Sequence, residues 1–129
     1  MSTMQVELVS IEAPIWSGEA TAVYGRTLAG ELGILPGHTP LLGALAPGYP
    51  VRIEQEGGED LHVAVSGGFL SVHQDGQVAV IAEEAALASD IDTAAAREEL
   101  NRAEGDEGAE AAAARDWALS RLRAAGEQV

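Results

Sequence analysis

Residues 30–42 read Gly-Glu-Leu-Gly-Ile-Leu-Pro-Gly-His-Thr-Pro-Leu-Leu, with three glycines, two prolines and a single histidine in thirteen positions. No helix runs through such a stretch. Pro36 and Pro40 lack backbone donors and hold φ near −65°, while each glycine admits positive φ without steric penalty. Leu35-Pro36-Gly37-His38 has proline second and glycine third, the pattern of a type II turn. Apolar residues on either side predict two short strands meeting at a rigid corner. Such a corner is either a hinge of a β-fold or a loop presented for function.

The surrounding chain decides for a β-fold. Val6 and Leu8 alternate with Gln5 and Glu7 in a first strand, Ile15-Trp16 leads through Ser17-Gly18, read as a turn, and Thr21, Val23 and Gly25 share one face of the next strand. Further strands are expected at residues 41–45, 51–56, 60–65, 69–73 and 77–81. The breaks between them are Ala46-Pro47-Gly48, Gly57-Gly58, Ser66-Gly67-Gly68 and Asp75-Gly76. Asp75-Gly76 fits a type I′ hairpin turn, whose central residues both need φ > 0. Strands at this spacing, with no helix-length segment between them, predict an antiparallel sandwich or barrel. Composition changes near residue 88, beyond which alanine and charged residues dominate and proline is absent. Asp92-Thr93 offers N-capping oxygens, and Ala96, Leu100 and Ala103 recur at helical spacing. Gly105 and Gly108 break that helix, and a second is expected over residues 109–125 with Ala111, Ala118, Leu122 and Ala125 as its stripe. The fold class is therefore mainly β with an α appendage. A sandwich occupies residues 1–88, and a two-helix hairpin of residues 89–129 docks weakly because its stripes are mostly alanine.

Charge and composition narrow the function. With 21 acidic against 7 basic residues the net charge is −14, which repels phosphate backbones and argues against nucleic-acid binding. The chain has neither lysine nor cysteine, so a P-loop, a Schiff base, a disulfide and a thiolate metal site are all excluded. The uncharged run of residues 32–51 has the length of a membrane span, but four prolines and four glycines interrupt it. The N-terminus does not read as a signal peptide, and membrane association is expected only through a partner. Ala64-Val65-Ser66-Gly67-Gly68 falls short of a nucleophile elbow, because Ala64 stands where glycine is needed and a strand follows. His38, His62 and His73 have no metal-ligand spacing, and Glu83-Glu84 reads as a solvated face or a helix start. No nucleophile, base and oxyanion site assemble, so neither catalysis nor a bound metal or cofactor is expected. A free-standing β-sandwich adaptor using the Pro/Gly loop is the alternative from the binding-module class.

Gly30-Glu31-Leu32-Gly33-Ile34, Pro36-Gly37-His38 and Pro40-Leu41-Leu42 resemble the epsilon subunit of the bacterial F-type ATP synthase. Pro47-Gly48, Ser66-Gly67-Gly68-Phe69-Leu70, Val72 and Asp90-Ile91-Asp92 follow in that family's order. The resemblance implies a ten-stranded sandwich with a C-terminal helical hairpin, on the central stalk at the cytoplasmic face of the cell membrane. Its implied partners are the gamma subunit, the c-subunit ring and, when the hairpin extends to block hydrolysis, the alpha and beta subunits. Glu31 and His38 would face the ring, with corner-building as the competing role for His38. Arg115, Arg121 and Arg123 would meet acidic segments of the catalytic subunits. Some family members bind ATP through Ile-Asp-x-x-Arg-Ala. Here Ile91-Asp92 is followed by an arginine only at Arg97, about 200° around a helix from the expected direction, so ATP binding is not expected.

Overall fold

The alternation of apolar and polar residues resolves, in a computed structural model describing residues 2–129, into ten strands and two helices. The strands are β1 (Met4–Ser10), β2 (Pro14–Ala20), β3 (Ala22–Thr27), β4 (Gly30–Ile34), β5 (Leu41–Leu45), β6 (Val51–Glu54), β7 (Leu61–Val65), β8 (Gly68–Val72), β9 (Val78–Ala82) and β10 (Ala85–Leu87). A short 3-10 turn, Ala88–Asp90, leads into α1 (Thr93–Ala103) and α2 (Ala109–Ala124). The ladder runs β10-β7-β6-β3-β5-β8-β9-β1-β2, with β4 on the other edge of β3. A single pair, Thr27 with Leu45, joins β3 to β5, so the ladder divides there into two five-stranded layers. All pairs are antiparallel except β1 with β9. Val6, Leu8, Val23, Ile34, Ile53, Val63, Val65, Leu70 and Val80 close the layers over one core and are each fully buried.

The corner is built as its residues require. The His38 N–H donates to the Leu35 carbonyl at 3.1 Å, and Gly37 takes φ 85°, as a type II turn demands. Two other turn readings need correction. Ser17-Gly18 lies inside β2 rather than between strands, and Gly18 is needed because the Trp16 ring folds over it: a Cβ there would stand 2.7 Å from the ring. In the β8–β9 turn only Gly76 has positive φ, so Asp75 does not adopt the type I′ geometry. The Gly76 N–H instead donates to the His73 carbonyl, the N–H of Gln77 donates to Asp75 Oδ1, and glycine closes the turn. Ser66-Gly67-Gly68 is a bend between β7 and β8, as its glycines suggest. Gly68 has φ 127°, and a Cβ on it would lie 2.0 Å from the Ile81 carbonyl oxygen.

Gly68→Ala therefore meets both a backbone clash and a disfavoured φ, and it is expected to destabilise the chain by roughly 2 kcal/mol or more in urea denaturation. Gly37→Ala, which has open space at its Cβ, should lose only about 1 kcal/mol. Equal effects at the two positions would contradict the close approach of β8 to β9.

Candidate docking surfaces and the hairpin interface

Strand register places an apolar patch on the outside of one layer. Ala44 stands opposite Phe69 and Phe69 opposite Ile81, while the neighbouring row sets Leu42 opposite Ser71 and Ser71 opposite Ala79. Their sequence neighbours Leu45, Leu70 and Val80 point into the core, so these side chains point out. Leu42, Phe69 and Ile81 are 69%, 51% and 47% exposed. A group of large apolar side chains left in water on a flat sheet face marks a surface that another protein covers.

The corner residues fall in two separate recesses. Glu31 lies beside Tyr24, Arg26, Tyr49 and Arg52, and its carboxylate meets Arg26 Nη2 at 3.3 Å. His38 lies with residues 3–5 and 74–77, its Nδ1 2.7 Å from the Thr39 carbonyl oxygen, the geometry of an Nδ1–H donor. Arg52 hydrogen-bonds Asp60 at 3.0 Å and Glu54 at 2.9 Å. The bond to Asp60 does most to hold its guanidinium above the ordinary arginine value, against an opposing loss of solvation.

The hairpin is seated on the other layer, against β7. α1 starts at Asp92, whose carboxylate accepts from the Ala95 N–H at 3.1 Å, and buries Ala96, Leu100 and Ala103. α2 buries two faces rather than the one expected. Ala118 and Leu122 pack on Ala96 and Leu100 of α1. Ser120 and Ala124, about half a turn away on the helix, are buried as well, while Ala111 and Ala125 are only half-buried. Ser120 Oγ accepts the N–H of Val65 at 3.0 Å. β6 begins at Val51, opposite Val63, so pairing with β6 stops short of Val65, which is paired with Ala85 of β10 on its other side, and the helix hydroxyl supplies the acceptor on the open side. The sequence reading missed this contact. Arg123 donates to the Gly48 carbonyl, and Arg121 pairs with Glu99 of α1 and stacks 5.1 Å over Trp117. Burial pulls the Arg121 guanidinium below its ordinary value, with Glu84 opposing that shift.

A family model, ATP synthase, Delta/Epsilon chain, beta-sandwich domain, matches residues 3–88. The ATP synthase epsilon chain of Mycolicibacterium vanbaalenii is 46% identical over 127 residues, covering 98% of each chain. That of Mycobacterium avium is 48% identical over 126 residues with the same coverage. The chain belongs to the ATP synthase epsilon-chain family. A chain in the cryo-EM structure of the Euglena gracilis mitochondrial ATP synthase, OSCP/F1/c-ring, is similar in structure with a TM-score of 0.78 and 27% identity, covering 98% of this chain and 83% of that one. Epsilon chains are accessory subunits rather than catalytic ones. Ser66 Oγ accepts the Glu84 N–H at 2.9 Å, and the Ser66 N–H donates to the Glu84 carbonyl at 3.0 Å. Glu83 and Glu84 form the turn before β10 rather than a helix start.

The residues that match the family's nucleotide motif have other tasks in this structure. Asp92 is the α1 cap, and Arg97 pairs with Glu127 at 3.0 Å. Arg115 donates to the Ala103 carbonyl at 3.3 Å, so all three arginines assigned to partner contacts are engaged within the folded chain, Arg115 and Arg121 inside the hairpin and Arg123 with the sandwich.

Ser120→Ala leaves a buried N–H without an acceptor, a loss of about 1–3 kcal/mol. Hydrogen exchange at Val65 and along α2 should accelerate by roughly tenfold or more, while core amides of β1 and β9 stay protected. Unchanged exchange at Val65 would show that the hydroxyl does not hold the helix.

Proposed function

We propose that the chain is a coupling and regulatory subunit of the ATP synthase rotor. The observation that carries this reading is the exposed patch of Leu42, Phe69 and Ile81, on the layer opposite the one that seats the hairpin. In an epsilon chain that patch is the surface to press against the gamma subunit, leaving the hairpin free to move. The end of the sandwich carrying residues 30–42 then meets the c-subunit ring, with Glu31 offering a charge and His38 shaping the turn. The structural relative in the Euglena gracilis OSCP/F1/c-ring assembly supports this placement. The protein is then peripheral to the membrane on its cytoplasmic face, held through the complex. No helix among the described residues is long and apolar enough to cross a membrane.

The hairpin regulates hydrolysis by leaving its seat and extending along gamma toward the alpha and beta subunits. Its seat supports such a switch. On the face that meets β7 at Val65, α2 buries the small side chains Ser120 and Ala124, while the helices meet each other through Ala96, Leu100, Ala118 and Leu122, with Leu119 alongside. A helix held by so little apolar area, one hydroxyl and a few exposed charges can have docked and released states separated by a few kcal/mol. Release would free Arg115, Arg121 and Arg123 for acidic partners, and the division at residue 88 is then the hinge between rotor-bound and regulatory parts.

Replacing Phe69 by glutamate and Ile81 by threonine, which avoids two like charges in one cross-strand pair, is expected to remove the chain from purified ATP synthase while its own unfolding midpoint stays close to wild type. Both side chains face water in the free protein, so the sandwich does not need them. Undiminished co-purification with gamma would exclude this face as the docking surface.

A further inference from the structure

Tyr49, in the turn between β5 and β6, shares its ring between two cations. Arg26 Cζ from β3 stands 4.7 Å from the ring centroid, and Arg123 Cζ from α2 stands 4.5 Å from it. The two guanidinium charges therefore lie within about one Debye length of each other. Their surroundings differ. Arg26 is answered by Glu31 across the β3–β4 pair, whereas Arg123 has no carboxylate at ion-pair distance among the described residues and donates to the Gly48 carbonyl. Gly48 itself is buried, and a Cβ on it would come 3.5 Å from Arg123 and 3.6 Å from Asp116 of α2. The turn that carries Tyr49 is thus the clasp of the C-terminal helix.

We propose that Glu31, Arg26, Tyr49 and Arg123 form a string that couples the surface at Glu31 to the docking of the hairpin. A cationic group that draws Glu31 away from Arg26 loosens α2. With Glu31 in place, the charge of Arg26 is largely compensated and both guanidiniums rest on the negative face of one ring. Without it, two uncompensated cations compete for the same ring and repel each other. Arg26 is anchored on a strand paired on both sides, whereas Arg123 rides on a helix whose buried face toward the sandwich carries the small side chains Ser120 and Ala124, so the repulsion is relieved at the helix. The Glu31 side chain is 80% exposed and open to an approaching cation. The coupling uses contacts within this chain alone, and it holds for any cationic partner group at that surface.

The amide of Val65 reads the docked state directly, because its acceptor is Ser120 of α2. In the full chain at low salt, Glu31→Gln should lower the exchange protection of Val65 by about two- to threefold, and roughly 1 M salt should erase the effect. The same substitution should be silent in an Arg123→Met background, which keeps the apolar stem and removes the charge, and in a Tyr49→Leu background. The Leu8 amide in the sandwich core should not change. Unchanged protection at Val65, an equal loss in the Arg123→Met background, or a parallel change at Leu8 would each overturn the coupling.

Discussion

The Val65 N–H is the hinge on which the arrangement of the two parts depends. β7 is paired by β6 only as far as Val63, because the chain enters β6 at Val51 from the turn that carries Gly48 and Tyr49. A buried donor without an acceptor costs about 1–3 kcal/mol, so some group has to come to it. Ser120 of α2 does, and the helix lies close because Ala64, the outward side chain of β7 beside it, is small and buried. The seat of the hairpin is therefore written into a gap in the sheet. It is a specific seat rather than a strong one: the Val65–Ser120 and Arg123–Gly48 hydrogen bonds and a face of small side chains set position without making release prohibitive.

Charge acts on the same scale. In a chain of net charge −14, every arginine except Arg102 is engaged with a carboxylate, a carbonyl or an aromatic ring. Exposed pairs of this kind contribute little each. Three of the arginines lie on α2, and their partners are shared among α1, the β5–β6 turn and α2 itself. In the proposed extension the hairpin would exchange those partners for others, and the acidic surfaces of a neighbouring subunit would compete with contacts that are individually weak. The apolar patch on the opposite layer needs no such exchange, since Leu42, Phe69 and Ile81 are exposed while the hairpin is docked.

The fold was legible where backbone chemistry leaves few choices. Pro36-Gly37 admits one turn, and Gly67-Gly68 admits a bend that no residue with a Cβ could make beside Ile81. Pattern misled where a residue has two uses. Gly18 punctuates the sequence like a turn, yet its purpose is to lie beneath Trp16, which only the folded strand reveals. Asp75-Gly76 fits the hairpin dipeptide, but the geometry follows from glycine alone. The second buried face of α2 escaped notice because Ser120 and Ala124 carry no hydrophobic signal. Their spacing of four, half a turn from Ala118 and Leu122, was the one trace available. At the candidate sites, motif residues could be named, but their partners in the folded chain could not. That Asp92 caps a helix and Arg123 clasps a turn follows from contacts distant in sequence.

The central claim is that the hairpin of residues 89–129 leaves its seat on β7 when the assembled complex would otherwise hydrolyse ATP. Native cysteine is absent, so spin labels at Glu59→Cys and Arg102→Cys, both on exposed positions, report the distance between sandwich and hairpin without interference. Double electron–electron resonance on the isolated chain should give a single docked distance. In the assembled ATP synthase under hydrolysing conditions a second population, longer by roughly 20 Å or more, should appear as ATPase activity falls. A single docked distance under every condition, with hydrolysis still suppressed, would contradict the account.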